Sequence, residues 1–398
     1  MIVAKRPLIM MAATAALLGA VLSGPGYPSG KGRRDRHEIR NREVRNIIFM
    51  VPDGMGLADV TAARIFRNGI DGPPLHLETL EEIGYQRTYS ANSAITDSAP
   101  AASAWACGEK FNNGEICFHG DGRPYLPSIL ELAKRKKMGT GLVATSTITH
   151  ATPAAFGAHV ANRNCETEIA RQYIEVSKPD VILGGGMKKF NPPSPDLCGT
   201  GGDIAAKAKQ DGYSIVRTRD QMNSALDAGE TKLLGLFAPE GMTPEILRAD
   251  GTAEPHLKDM TVAALTMLEK HRKGFFLMVE GSQVDWANHA NDVKYQVGET
   301  LAFDDAVKAV LDWIDSTPER RNHTLLIIAP DHETGGFAIN GPNRIPQPGE
   351  CVTAGWTSGN HTGTDVPVWA QGPGSEAVGR ALENTDLYRI MREALGEL

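Results

Sequence analysis

No apolar run in this 398-residue chain reaches the roughly 20 residues that a helix needs to cross a bilayer. Cysteine is scarce: there are five, none in a C-x-x-C pair, so neither a thioredoxin-type redox motif nor a cysteine-rich structural zinc site is expected. Internal repeats and low-complexity tracts are missing, and the 42 Gly and 24 Pro are scattered without a period, which excludes fibrous and disordered classes. No serine stands in a G-x-S-x-G nucleophile elbow.

The body of the chain also lacks basic charge. The formal net charge is −7, but residues 1–45 hold nine Lys and Arg against three Asp and Glu, which leaves the other 353 residues at −13. Such a body has no basic footprint for a nucleic-acid backbone, and no nucleic-acid partner is expected. What is present is ordinary globular material, 41% apolar and 22% charged. The length exceeds the usual domain of roughly 100 to 200 residues, so two domains or one large α/β unit with insertions are expected.

Lys5 and Arg6 precede a fifteen-residue apolar stretch, 8–22, interrupted only by Thr14 and small residues. This pattern reads as an export signal over 1–23, with a retained N-terminal anchor as the alternative. Residues 24–45 read as a polar tether, and 46–398 as the main globular domain. Export permits disulfides. Cys107 and Cys117 flank the Asn- and Gly-containing loop GEKFNNGEI, a candidate bridge; Cys165 and Cys198 are a second candidate pair, leaving Cys351 free.

Short apolar runs at 46–51, 141–145, 181–183, 214–216, 233–237, 275–280, 324–329 and 366–371 read as strands. Between them lie helical patterns, the clearest at 58–67, 129–137, 257–272 and 293–314. Their alternation predicts an α/β fold with a central, mostly parallel β-sheet flanked by helices on both faces.

Sites in such sheets collect at the carboxyl ends of strands. Asp53 follows the first run, Glu280 ends FFLMVE, and Asp331-His332 follows LLIIAP. Each alone could be a turn former or helix cap; together they suggest a metal centre. Asp285 and His289 are four apart, hence on one helical face, and a carboxylate with an imidazole suits zinc. His361 adds a third imidazole on a loop. Four carboxylates and three imidazoles suffice for two or three divalent ions. Ser98 stands before a run of small residues, at or near a helix N-terminus that favours an anion; its plain alternative is an N-cap. Arg163 is by default an ordinary surface arginine, but it has the permanently charged fork that a phosphate site would require.

Six segments in order, NIIFMVPDGMG, TDSAPAASAWACG, HATPAAFGAHVANR, FFLMVEGSQVDWANH, PDHETGG and SGNHTG, make the chain resemble the alkaline phosphatases from about Asn46 to the C-terminus. The resemblance implies hydrolysis of small phosphate monoesters, with Ser98 as the phosphorylated serine and Arg163 as the phosphate clamp. It implies one zinc on Asp285, His289 and His361, and a second on Asp53, Asp331 and His332. Asp53 would bridge to a third site completed by Thr152 and Glu280, usually holding magnesium. A homodimer and a periplasmic or extracellular location are also implied, with a membrane involved only if the N-terminal segment is kept as an anchor. Two positions behind the ligands depart from the best-known bacterial pattern. His150 stands where an Asp is common, which weakens the case for hydrated magnesium at the third site and leaves zinc or cobalt open there. Trp286 stands where a Lys commonly reaches phosphate through water, which should weaken phosphate binding. The rival readings are a phosphodiesterase or sulfatase on the same scaffold, and an exported phosphate- or metal-binding protein without turnover.

Overall fold

The computed structural model describes residues 43–249 and 251–397. The segments expected as leader, 1–23, and nearly all of that expected as tether, 24–45, lie outside the described residues. Along the chain the strands are β1 (Asn46–Pro52), β2 (Glu82–Arg87), β3 (Gly139–Thr147), β4 (Val181–Gly185), β5 (Ser214–Val216), β6 (Leu233–Leu236) and β7 (Phe275–Gly281). They continue with β8 (Thr324–Ile328), β9 (Glu333–Thr334), β10 (Ala338–Gly341), β11 (Thr353–Gly355), β12 (His361–Thr362), β13 (Val366–Gln371) and β14 (Ala381–Glu383).

Ten of these form one sheet in the order β14-β2-β13-β8-β1-β7-β3-β4-β6-β5. All its pairings are parallel except those of β13, which runs against both β2 and β8. The small pairs β10-β11 and β12-β9 stand apart. The eight runs expected as strands all form strands of the large sheet, and the mostly parallel expectation holds. The sequence pattern did not reveal β2 or β14. In β2, EIGYQR, only Gln86 is buried, while Ile83 and Tyr85 are exposed, so the usual apolar-inside signal is inverted.

Strand residues alternate between two cores, as a pleat of period two requires. Ile47, Phe49 and Val51 of β1 pack into one, and Ile48 and Met50 into the other. Fully burying such a side chain contributes about 2 kcal/mol, and a one-residue slip would exchange the two faces, so register is held firmly. That register aligns the strand exits. Val51 of β1 lies opposite Glu280 of β7, and Met50 lies opposite Ile328 of β8. Asp53, Glu280 and Asp331 therefore emerge side by side from three adjacent strands.

The helices Leu57–Asn68, Ile129–Arg135, Leu257–Leu268 and Val293–Asp315 match the four periodic segments. The third stops four residues short of its expected end, because the chain turns through Gly274, at φ 79°, into β7. Cys107 pairs with Cys117 and Cys165 with Cys198, at Cα separations of 6.1 and 5.4 Å, and Cys351 is free. Among the described residues no helix is long and apolar enough to cross a membrane.

Candidate active site

Ser98 begins the helix Ser98–Cys107, but it is not the cap. That role falls to Asp97, whose Oδ1 accepts from the Ala99 backbone N–H at 2.7 Å. The same Oδ1 accepts from Arg163 Nη1 at 3.1 Å. One carboxylate thus caps the helix that begins with Ser98 and anchors the arginine. Two cross-links hold these parts together: Cys107, at the end of the Ser98 helix, is bonded to Cys117, and Ile116 pairs with Val160 just before Arg163. Asp97 was missed in the sequence reading, although an Asp before a helical run is an N-cap signal.

Three imidazoles converge near Ser98. His289 Nδ1 lies 2.7 Å from the Gly359 carbonyl oxygen, and His361 Nδ1 lies 2.9 Å from that of Thr96. A carbonyl only accepts, so each Nδ1 carries a proton and each ring, when neutral, turns an Nε2 lone pair inward. These two Nε2 atoms are 3.1 Å apart and lie 3.4 and 3.5 Å from Asp285 oxygens. His332 Nδ1 is 3.2 Å from Thr334 Oγ1, a hydroxyl that itself donates to Asp285 Oδ1 at 2.5 Å. His332 Nε2 therefore faces Ser98 Oγ at 3.3 Å, Asp331 Oδ2 at 3.0 Å and Asp53 Oδ1 at 3.8 Å. Thr334 links the two imidazole-carboxylate groups, and nothing in the sequence pattern pointed to it.

The carboxylates lie deeper. Asp53 and Glu280 are wholly buried; both oxygens of Asp53, Oε1 of Glu280 and Oγ1 of Thr152 have no hydrogen-bond partner. Glu280 Oε2 is held by Ser282 Oγ at 2.7 Å, and Asp331 Oδ1 by the Gly54 N–H at 3.0 Å. Glycine is required at 54: its φ is +73°, and a Cβ there would lie 2.6 Å from Asp285 Cα. Donor atoms group as Asp285-His332-His361, Asp53-Asp331-His332 and Asp53-His150-Glu280. In the first group His332 stands where His289 was expected, although His289 Nε2 lies within 3.4 Å of Asp285 and 3.1 Å of His361, and His150 joins the third group rather than standing behind it. Trp286 lies edge-on to His150 at 6.2 Å and over Gly241, where a Cβ would come within 2.4 Å of the indole.

The pattern of residues matches a family model described as alkaline phosphatase over residues 44–354. The chain belongs to the alkaline phosphatase family. Alkaline phosphatase 4 of Bacillus subtilis (strain 168) is 34% identical, with 98% of this chain and 97% of the relative covered. Streptomycin-6-phosphate phosphatase of Streptomyces griseus is also 34% identical, over 89% of this chain and 91% of its own. The solved alkaline phosphatase of Thermus thermophilus superposes with a TM-score of 0.80 at 30% identity, covering 94% of this chain and 96% of that one. That of the Antarctic bacterium TAB5 gives 0.77 at 33%, covering 89% and 98%. Like these relatives, the chain is a phosphoric monoester hydrolase.

The electrostatics of this alkaline phosphatase site divide it in two. Burial, then the charges of Asp331, Asp285 and Glu280, push the Asp53 carboxyl well above its usual range. Burial lifts Glu280 to about 7, against the hydrogen bond from Ser282. At the other end burial also disfavours the charge of Asp285, but hydrogen bonds from His289 and His361 outweigh it and hold the carboxyl well below its usual value. Its partner His289 is raised to about 9, chiefly by Asp285. A buried carboxylate with no donor costs several kcal/mol unless a cation meets it. The orphaned oxygens and the inward nitrogens therefore fit divalent cations, and each of the three groups offers at least one imidazole beside its carboxylates.

Proposed function

We propose that the chain cleaves phosphate monoesters through a covalent phosphate ester of Ser98, at a centre of two zinc ions and a third ion. Asp285, His289 and His361 would hold one ion, and Asp53, Asp331 and His332 the second. Asp53, Thr152 and Glu280 would hold a third, magnesium in the simplest case. The observation that carries this reading is the placement of Ser98 Oγ, 3.3 Å from His332 Nε2 and beside the Asp97-anchored Arg163.

Arg163 would hold two non-bridging phosphate oxygens; of the first-turn backbone the Ser98 N–H would face the same anion, since the Ala99 N–H is held by Asp97 and Pro100 has none. Ser98 Oγ attacks phosphorus in line; the serine O–P bond forms as the bond to the alcohol breaks. Water then attacks from the side the alcohol left, restoring Ser98 and releasing phosphate. Two in-line steps retain configuration at phosphorus. When bound, the cations supply positive charge to the attacking and leaving oxygens.

Two disulfides support an oxidising compartment, and with the leader they support export to the periplasm or exterior. A homodimer is part of the same proposal. Ser98→Ala tests the chemistry: turnover of p-nitrophenyl phosphate should fall by about a thousandfold or more while bound metal per chain stays constant. Undiminished turnover would remove Ser98 from its role.

A further inference from the structure

His150 faces two demands. Its Nε2 lies 3.1 Å from Arg163 Nη2. A guanidinium only donates, so this nitrogen gives the ring's lone pair to Arg163 and the ring proton sits on Nδ1. That Nδ1 is buried and has no partner. Yet the same ring offers a nitrogen within 4.8 Å of donor atoms from Asp53 and Glu280. Thr152, two residues on, contributes a buried hydroxyl oxygen that is likewise unpartnered.

We propose that Arg163 and a nitrogen-seeking cation at the third site compete for the single lone pair of His150, so that the ion bound there sets how firmly the phosphate clamp is held. The inference rests on the three-ion reading above. A neutral imidazole has one in-plane lone pair. If Nε2 becomes the ligand, Arg163 Nη2 loses its acceptor. If Nδ1 becomes the ligand, the proton moves to Nε2 and points at another donor. Either way the contact between Arg163 and His150 breaks.

Zinc and cobalt accept imidazole, whereas magnesium keeps oxygen ligands and water. Magnesium therefore leaves His150 on Arg163, and the guanidinium keeps two anchors, Asp97 through Nη1 and His150 through Nη2. Zinc leaves it Asp97 alone, free to swing about one hydrogen bond. His150 is thus a positioning residue whose state depends on the neighbouring ion. Trp286 stands beside this ring, with the two planes nearly perpendicular.

The test fills the other two sites with zinc and titrates the third with Mg2+ or Zn2+ by calorimetry, with metal content measured alongside. Three forms are compared: the unaltered chain, Arg163→Ala, and Arg163→Ala combined with His150→Gln. Removing the charge of Arg163 strengthens both cations, so the informative quantity is the preference for zinc over magnesium. Competition raises that preference about tenfold in Arg163→Ala, within the usual range of coupling between sites, and His150→Gln abolishes the rise. In the unaltered chain, inorganic phosphate should bind about fivefold more weakly to the form with zinc at the third site than to the form with magnesium. An unchanged preference in Arg163→Ala, or equal phosphate affinity in the two forms of the unaltered chain, overturns the competition. A chain that never takes up a third divalent ion overturns the three-ion reading, and the competition with it.

Discussion

The two ends of the donor cluster are built on opposite principles. At the half-open end, Asp285, His289 and His361 satisfy one another, and each imidazole is pinned by a backbone carbonyl. At the buried end, Asp53, Glu280 and Thr152 point atoms inward that nothing in the chain meets. Without a metal, a proton can stand in for the cation at the first end, because Asp285 lifts His289 to about 9. At the second end the acids must instead stay neutral, which is why Glu280 rises to about 7. The difference teaches that one end is preorganised by hydrogen bonds, while the other is held by the strands behind it and completed only by what it binds.

Substitution at the shared carboxylate should separate the ends most sharply. Asp53 belongs to two of the three donor groups, whereas Asp285 belongs to one. Asp53→Asn should lose about two ions per chain and on the order of a thousandfold in turnover; Asp285→Asn should lose one ion. Metal analysis beside the phosphatase assay checks this, and equal ion losses would erase the distinction.

The pH dependence of metal-free stability should distinguish them next. Folded Glu280 keeps its proton to about 7, against about 4.5 when unfolded. Between those values the folded chain binds more protons, so stability falls as pH rises through the window, by about 3 kcal/mol. Asp53 is raised as well and adds in the same direction. His289 acts later: its contribution is full below 6.5 and is lost as pH rises through about 9. Denaturation of the chelated protein across pH 4 to 9 should show the first decline, and Glu280→Gln should flatten it. A decline that persists in Glu280→Gln would assign it to other groups.

Thr334 offers a finer probe, since its hydroxyl ties Asp285 to His332. Thr334→Val should weaken zinc binding by about 10- to 100-fold, with Thr334→Ser close to the unaltered chain. If valine and serine behave alike, the hydroxyl orients nothing. The smallest effect is expected from replacing both Cys165 and Cys198 by serine. Cys165 lies two residues beyond Arg163, so KM should rise by about two- to fivefold with kcat unchanged and metal content intact. A loss of bound metal would show that this bridge supports the ions rather than the clamp.

Much of this is legible in the sequence alone. Strand-exit acids, the imidazoles, Ser98 and Arg163 all stood in recognisable segments, and buried parallel strands show as continuous apolar runs. Asp97 escaped because its capping role is common and says nothing of Arg163, 66 residues away. Thr334 escaped because a hydroxyl between two charged groups has no sequence period. β2 escaped because its two large apolar side chains face outward.

The sequence by itself determined the layered α/β architecture, the chemical kinds of ligand and their order along the chain, because local periodicity and residue type carry that information. Only the tertiary structure decided which lone pairs face one another, that a single Asp97 oxygen serves both helix and clamp, and that His150 stands between Arg163 and the third donor group. Apart from the cap on Ala99, those relations join residues from 13 to more than 270 positions apart. They arise from the register of three adjacent strands and the packing of their loops, which no single segment contains.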